Sequence, residues 1–172
     1  DIQYHFSPTG FEEKRNGFRV TQGFSFHIDL LYPRSRGRIE LNPNDHFGKP
    51  VIRFNYMDDA ADLTGMMNGV KQARAVTKAP AFNGLNGGEI GAMAQARTND
   101  EIKSVIMHEC ATDYHPSCSC RMGYDEDAVV DEWGRVHGVE GLRVVDSSVM
   151  PRIIGGNLNG TTQMVASRIA DH

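Results

Sequence analysis

The stretch FRVTQGFSFHIDLL, residues 18–31, alternates apolar and polar side chains over most of its length. The apolar face is formed by Phe24, Phe26, Ile28 and Leu30. The polar face is formed by Ser25, His27 and Asp29. Because successive side chains of a strand point to opposite sides of a sheet, this period of two predicts a half-buried antiparallel strand. The first half of the chain should therefore contain a sheet.

Three further segments of the first half have the same β-rich character, at residues 2–6, 37–43 and 51–57. The last two are separated by the turn-rich segment NPNDHFGKP, residues 42–50. Short connections between four strands favour antiparallel pairing, because parallel strands need long crossover connections.

Two amphipathic helices are predicted after the strands, at residues 58–79 and 98–111. Their N-caps are expected at Asp58 or Asp59 and at Thr98 or Asn99. The glycine-rich segment 82–91 does not fit G-x-G-x-x-G and follows a helix, so a plain loop is predicted there. The predicted fold class is α+β, an antiparallel β-sheet flanked by helices on one side.

The last third of the chain has shorter predicted elements than the rest. Short β-rich pieces separated by tight turns are predicted at residues 128–131, 134–139 and 142–151. Gly155 and Gly156 end this region, and a last helix is expected to begin at Asn159 or Gly160.

Charge and composition exclude several kinds of protein. The net charge is −4, and no lysine- or arginine-rich block is present, so nucleic acid and anionic membranes are not expected partners. The apolar runs are far shorter than the roughly 20 residues of a membrane span. Three cysteines without a disulfide pattern or a signal peptide predict a reducing, cytoplasmic compartment, with peripheral membrane attachment left open. The opening DIQYHF and the ending ASRIADH are those expected of a piece of a longer chain.

The segment YHPSCSCRMG, residues 114–123, brings together His115, Cys118 and Cys120. The spacing H-x-x-C-x-C without a second pair disfavours a structural zinc site, so no metal is predicted. A cysteine nucleophile usually has a base that is distant in sequence, so both cysteines are interpreted as small buried hydrophobic residues. Whether His115 is structural or catalytic stays open from the spacing alone.

The segment GGNLNGTT, residues 155–162, offers backbone flexibility, amide groups and a helix start. Free N–H groups at a helix start suit a phosphate, an oxyanion or a carbonyl that carries negative charge. An ordinary turn followed by an N-cap explains the same residues equally well.

Taken together, these segments resemble a known signature. The order HPSCSCRMG, AVVDEWGRVHGVEGLRVVDSSVMP and GNLNGTTQMVASRIAD closely resembles the C-terminal signature of the glucose–methanol–choline (GMC) flavoprotein oxidoreductases. The HPSCSC form is similar to the choline-oxidising branch, and so are the upstream segments DIQYHF, SRGRIELNPND and PVIRFNYM. The resemblance covers nearly the whole chain.

The resemblance implies that the chain contributes to two domains. Residues 1–127 would form the substrate-binding domain, and residues 128–172 would complete an FAD domain. The N-terminal Rossmann unit that binds most of FAD in the family is absent from this sequence. The chain alone is therefore expected to bind FAD poorly and to be inactive. The parent would oxidise choline to betaine aldehyde in the route to glycine betaine.

The resemblance also implies roles for individual residues. The catalytic base matches His115, and the second catalytic position matches Asn159. The expected cofactor contacts are Asp146, Ser147, Leu158, Gly160 and Thr161. The expected substrate contacts are His5 and Tyr114, although Tyr114 could equally be a core aromatic. Two alternatives stay open: oxidation of another primary alcohol, and a non-catalytic domain that binds a metal or a partner.

Overall fold

The computed structural model describes residues 1–14 and 17–171. These residues form two units, residues 1–36 with 55–111 and residues 37–54 with 112–172. Within these described residues the strands pair as antiparallel ladders, and helices accompany them, so the predicted α+β class is confirmed. The predicted boundary between residues 127 and 128 concerns a larger protein and stays a prediction.

The sheet of the first unit is divided into two ladders. Strand β1 (Ile2–Ser7) pairs with β4 (Ser25–Leu30), and β2 (Gly10–Lys14) pairs with β3 (Gly17–Thr21). The expectation of one long strand over residues 18–31 and of one four-stranded sheet is wrong in this respect. The chain turns between β3 and β4 at Gly23, whose φ of 149° is one that L side chains rarely adopt.

Helix α1 (Ala60–Val76) lies against the β1–β4 ladder. Asp59 caps it, because its carboxylate accepts a hydrogen bond of 2.7 Å from the N–H of Ala61. The hydroxyl of Tyr4 on β1 donates to the carbonyl of Gly69 at 2.9 Å, which ties the helix to the ladder. The prediction of a helix over residues 58–79 is confirmed with slightly shorter bounds.

Helix α2 (Asn99–Glu109) completes the core of the first unit. Thr98, one of the two N-cap residues that the sequence allowed, caps it in a capping box with Glu101. The core cluster consists of Val70, Ala96, Ile102 and Ile106, with Met66 and Met67 packed partly against it. Between the helices, the short 3₁₀ turn Pro80–Phe82 is followed by a loop over residues 83–91, where the sequence predicted a loop over 82–91.

The second unit contains the hairpin of β5 (Arg38–Glu40) and β6 (Val51–Arg53) and the helix α3 (Leu158–Ala170). The β-rich pieces predicted between residues 128 and 151 are not regular strands in the described residues. They form isolated bridges, Met122 with Val130, Val130 with Val136, and Arg135 with Arg143. Three glycines with left-handed backbone break them up: Gly134, Gly138 and Gly141.

Two side chains without solvent exposure, Val130 and Val149, are buried in this second unit. Val149 ends a 3₁₀ turn, Ser147–Val149, which replaces the middle of the strand expected over residues 142–151. Within the part of the chain that the structure describes, no helix has both the length and the hydrophobicity needed to cross a membrane.

Candidate active site

His115 is carried by an irregular loop of the second unit, residues 112–120. Pro116 follows it and restricts its backbone. Tyr114 and Cys118 on either side have left-handed backbones, with φ values of 61° and 70°. Non-glycine residues in this region carry a cost of about 1–3 kcal/mol each and persist only where the surrounding structure holds them. The loop thus presents a half-buried imidazole on a strained backbone.

Hydrogen bonds on both sides hold this loop. On the N-terminal side, the N–H of Tyr114 donates to the hydroxyl of Thr112 at 2.9 Å. On the C-terminal side, the loop is attached to the 3₁₀ turn Ser147–Val149. The N–H groups of Cys118, Cys120 and Met122 donate to the carbonyls of Ser147, Ser148 and Val149 over 3.4, 3.0 and 2.8 Å, respectively. The histidine is therefore anchored to a turn that ends in the core.

Asn157 is the N-cap residue of α3, and its side chain lies beside His115. The amide nitrogen of Asn157 is 3.2 Å from Nε2 of His115, although the two residues are 42 positions apart. An Asn at this position usually caps the helix with its side-chain oxygen. Here Asn157 makes no such side-chain cap hydrogen bond. Its amide is directed at the histidine instead.

This pair has the donors and acceptors that a hydroxyl group requires. A neutral imidazole offers one nitrogen lone pair, and the amide of Asn157 offers N–H donors. A hydroxyl donates one hydrogen bond and also accepts, so one oxygen can contact both groups at once. The arrangement suits removal of a hydroxyl proton together with stabilisation of the negative charge that remains on oxygen.

Asn159, which the resemblance assigned as the second catalytic residue, lies elsewhere on the same helix start. Its side-chain oxygen accepts a hydrogen bond of 2.9 Å from the amide of Gln163, and the residue is exposed. The structure therefore brings Asn157, and not Asn159, to His115. The sequence reading placed the helix start at Asn159 or Gly160, whereas α3 begins at Leu158. The N-cap preference for Asn would also have allowed Asn157.

The residues expected to contact a cofactor have mixed environments. Leu158 is buried, with 5% of its surface exposed, and Thr161 is half-buried. Gly160 is exposed, and the position of a Cβ there has no neighbouring atom within 4 Å. The first turn of α3 thus has open space and no Asn157 side-chain cap, which leaves it suited to an oxygen that carries negative charge.

The other two expected cofactor contacts have internal hydrogen bonds. The carboxylate of Asp146 caps the 3₁₀ turn, since it accepts from the N–H of Ser148 at 2.8 Å. The hydroxyl of Ser147 donates to the carbonyl of Pro116 at 3.1 Å. Both side chains support the loop and turn in the structure, and their contact with a cofactor stays a prediction.

The two residues expected to contact substrate lie in different units. In the first unit, Nε2 of His5 on β1 is 3.0 Å from a carboxylate oxygen of Asp29 on β4 and 3.0 Å from the amide nitrogen of Gln3. In the second unit, Tyr114 is 85% exposed, so it is not a core aromatic. Its ring is available for a ligand beside His115 in the chain.

The cysteines of the histidine loop are half-buried. The Sγ of Cys118 is 3.3 Å from the hydroxyl oxygen of Ser117. This neighbour is a neutral hydroxyl, which does not generate a thiolate in the way that a base or a cation does. The interpretation of Cys118 and Cys120 as packing residues stays a prediction.

Comparison with known proteins identifies the family of this chain. A sequence profile of the family described as GMC oxidoreductase matches residues 33–166. The chain belongs to this oxidoreductase family. It is similar to the oxygen-dependent choline dehydrogenases of Paraburkholderia xenovorans strain LB400, with 43% identity, and Acinetobacter baumannii strain AYE, with 44% identity. Each match covers 99% of this chain and, respectively, 30% and 31% of the relative.

Solved structures give the same family likeness. A formate oxidase variant from Aspergillus oryzae RIB40 matches 94% of this chain and 28% of its own, with a TM-score of 0.79 and 26% identity. Pyridoxine 4-oxidase from Mesorbium loti matches 86% of this chain and 29% of its own, with a TM-score of 0.73 and 25% identity. The chain thus spans less than a third of the length of these relatives.

Proposed function

We propose that this chain carries the catalytic pair of an FAD-dependent choline dehydrogenase, which oxidises choline to betaine aldehyde in the route to glycine betaine. The pairing of His115 with Asn157 at the start of α3 is the observation that carries the proposal. The choline dehydrogenases at 43% and 44% identity support the choice of substrate. We use "holoenzyme" for a protein of the relatives' full length that contains this chain with FAD bound.

His115 is the general base of the proposed reaction. Its Nε2 takes the proton from the substrate hydroxyl while a hydride leaves the carbon that bears this hydroxyl. The alcohol becomes an aldehyde, and the proton stays on the imidazole until it passes to solvent. Asn157 donates a hydrogen bond to the substrate oxygen as negative charge develops on it, and an amide does so without itself titrating.

The start of α3 fits the polar edge of a flavin. Asn157 leaves the helix without its side-chain cap, and Gly160 offers open space, so the first-turn N–H groups can face an electron-rich ring edge. When bound, FAD supplies the hydride acceptor that amino-acid side chains lack. Residues outside this chain would hold most of FAD, so the chain alone is expected to bind it weakly and to turn over no substrate.

Choline carries a quaternary ammonium, which cannot donate a hydrogen bond and is typically held over aromatic faces. The exposed ring of Tyr114, next to His115 in the chain, offers such a face. The role of His5 in substrate binding stays a prediction, and within the first unit its Nε2 lies 3.0 Å from a carboxylate oxygen of Asp29.

A different primary alcohol is the second candidate substrate. The catalytic pair recognises a hydroxyl and not an ammonium, and one structural neighbour is a pyridoxine 4-oxidase. Comparison of choline with uncharged primary alcohols as reductants of the holoenzyme flavin distinguishes the two. A non-catalytic metal-binding role would require stoichiometric zinc on Cys118 and Cys120, which elemental analysis of the purified protein measures.

Substitution of the base tests the proposal. His115→Ala in the holoenzyme should slow anaerobic flavin reduction by choline by about 100-fold or more, because the general base is lost. Stopped-flow absorbance measures the rate, and the flavin spectrum reports that FAD stays bound. His108→Ala, which removes an exposed histidine of α2, is the matched control and should leave the rate unchanged. Unchanged reduction in the His115 variant would refute the proposed function.

A further inference from the structure

Ser147 contacts the histidine loop through both its side chain and its backbone. Its hydroxyl donates to the carbonyl of Pro116 at 3.1 Å, and its carbonyl accepts from the N–H of Cys118 at 3.4 Å. These two groups belong to the first and the third residue after His115. One serine therefore holds the chain immediately C-terminal to the imidazole.

The segment needs this support for two reasons. Pro116 has no N–H, so its carbonyl is the backbone group through which another residue can hold it. Cys118 has a left-handed backbone with φ of 70°, a conformation that persists only when its surroundings impose it. On the other side of His115, the N–H of Tyr114 donates to the hydroxyl of Thr112, which is a contact within the loop itself.

Ser147 is itself fixed to the interior of the second unit. It begins the 3₁₀ turn that ends at Val149, whose side chain has no exposed surface. Asp146 caps this turn, and Met150, with 3% exposure, follows it. The hydrogen bonds of Ser147 therefore attach the loop to a turn whose last side chain is buried in the second unit.

We propose that Ser147 is a positioning residue for His115 and acts through the backbone of Pro116 and Cys118. The proposal rests on the proposed function, because it concerns the orientation of the base. Without the hydroxyl, the loop can shift and carry Nε2 of His115 away from Asn157 and from the substrate oxygen. Displacements of about 1 Å in a reacting group can lower a rate by about 100-fold.

Ser147→Ala in the holoenzyme tests the role, with Ser148→Ala as the matched control. The control removes the Ser148 hydroxyl from the same turn. This hydroxyl makes no hydrogen bond within the described part of the chain. We expect Ser147→Ala to slow flavin reduction by choline by about 10-fold or more when the rate is measured at saturating FAD, and Ser148→Ala to leave the rate unchanged. Ser147→Thr, which keeps a hydroxyl, should recover most of the rate.

The same substitutions in a His115→Ala background separate positioning from general damage. A residue that acts only through His115 has no further effect once the imidazole is gone, so Ser147→Ala should change the residual rate by less than about 2-fold there. An equal loss in both backgrounds would overturn the positioning role. So would a Ser147→Ala rate that equals the Ser148→Ala rate.

Failure of the proposed function has a different signature, since His115→Ala itself would then leave reduction unchanged. If Ser147→Ala is not recovered as a folded protein, Ser147→Cys keeps the size of the side chain and replaces the hydroxyl by a weak donor. The thiol variant should show the same dependence on His115, and a rate equal to the unsubstituted holoenzyme would overturn the proposal.

Discussion

At the scale of single residues, the N-cap residues of α1, α2 and α3 behave differently. Asp59 and Thr98 accept hydrogen bonds from helix N–H groups of α1 and α2, at 2.7 and 3.2 Å. Asn157 occupies the same position on α3 and makes no side-chain cap hydrogen bond. A side-chain cap typically contributes about 1 kcal/mol to stability. Helix α3 therefore lacks the stability that a side-chain cap would contribute. The Asn157 amide is instead directed at His115, the proposed base.

Asn157→Ala should therefore affect chemistry without affecting stability. We expect flavin reduction in the holoenzyme to fall by about 10- to 100-fold, because a donor to the developing charge is lost. The free energy of unfolding should change by less than about 0.5 kcal/mol, since no cap is removed. Stopped-flow reduction and urea unfolding measure the two quantities. As a control, Thr98→Ala should lose about 1 kcal/mol and leave the rate unchanged.

The same measurement on Asn159→Ala separates the geometric assignment from the one implied by the resemblance. Asn159 contacts Gln163 in the structure, so its removal should cost less activity than the removal of Asn157. A larger loss of activity for Asn159→Ala would favour the assignment from the resemblance and contradict the one from the geometry.

At the scale of elements, α1 approaches its ladder closely at Gly69. A Cβ at this position would lie 2.7 Å from Cγ2 of Ile28 on β4 and 3.5 Å from Cγ2 of Ile2 on β1. Both isoleucines are β-branched, so their side chains have few alternative rotamers. The glycine is thus required by packing, since an ordinary helical residue here would push α1 away from the strands.

Gly69→Ala should lower the free energy of unfolding by about 1–3 kcal/mol, because the added methyl overpacks the contact. Helix propensity alone predicts the opposite, a gain of about 1 kcal/mol. Gly160→Ala is the matched control on α3, where a Cβ would meet no neighbouring atom. In the flavin-free protein this variant should raise the free energy of unfolding, as helix propensity predicts. Urea denaturation measures both variants, and equal shifts would contradict the packing argument.

At the scale of the whole molecule, the carboxylates with a lowered pKa, among them Asp62, Asp131 and Asp125, give stability the same dependence on pH. Burial opposes ionisation of Asp62, but hydrogen bonds from the Ser35 hydroxyl and the N–H groups of Arg34 and Ser35 outweigh it, so its pKa is lowered. Asp131 has a lowered pKa in the same way, against burial, through hydrogen bonds from Arg135 and Trp133.

The third carboxylate belongs to an exposed ion pair. The side-chain hydrogen bond from Arg121 lowers the pKa of Asp125 to about 2. A carboxyl whose folded pKa lies below its unfolded value of about 3.9 stabilises the fold at neutral pH. This contribution is present in full above the unfolded pKa and is lost as the pH falls through the folded pKa. All three groups therefore destabilise the protein on acidification.

The free energy of unfolding should be nearly constant from neutral pH to about 5 and should fall between about pH 4 and pH 2. Asp62→Asn should cost about 2 kcal/mol at pH 7, because one amide oxygen replaces two acceptors and an NH₂ group meets the backbone donors. This difference from the original chain should shrink below about pH 4. Denaturant unfolding at several pH values measures it.

Asp58→Asn is the control for this experiment, since the exposed Asp58 carboxylate accepts no hydrogen bond from the described residues. It should leave the pH dependence unchanged. A difference between Asp62→Asn and the original chain that persists undiminished at pH 2 would contradict the assigned role of the charge.

The sequence by itself determined the positions of α1 and α2, narrowed their N-caps to two neighbouring residues each, and singled out the segments that are proposed to carry the chemistry. These features depend on neighbours within a few residues, so local patterns such as an N-cap residue before an amphipathic segment predict them. The α+β class follows from the same patterns. The HPSCSC and GNLNGTT segments were singled out by composition and by resemblance.

Only the tertiary structure decided the pairing of those elements and the partner of His115. The pattern over residues 18–31 does not show that the backbone turns at Gly23, so the separate ladders could not be read from alternation. Asn157 and Asn159 have the same chemistry two positions apart, and the helix rotates them to different directions. Contact with His115 depends on that rotation and on the anchoring of the histidine loop to Ser147, which no local pattern encodes.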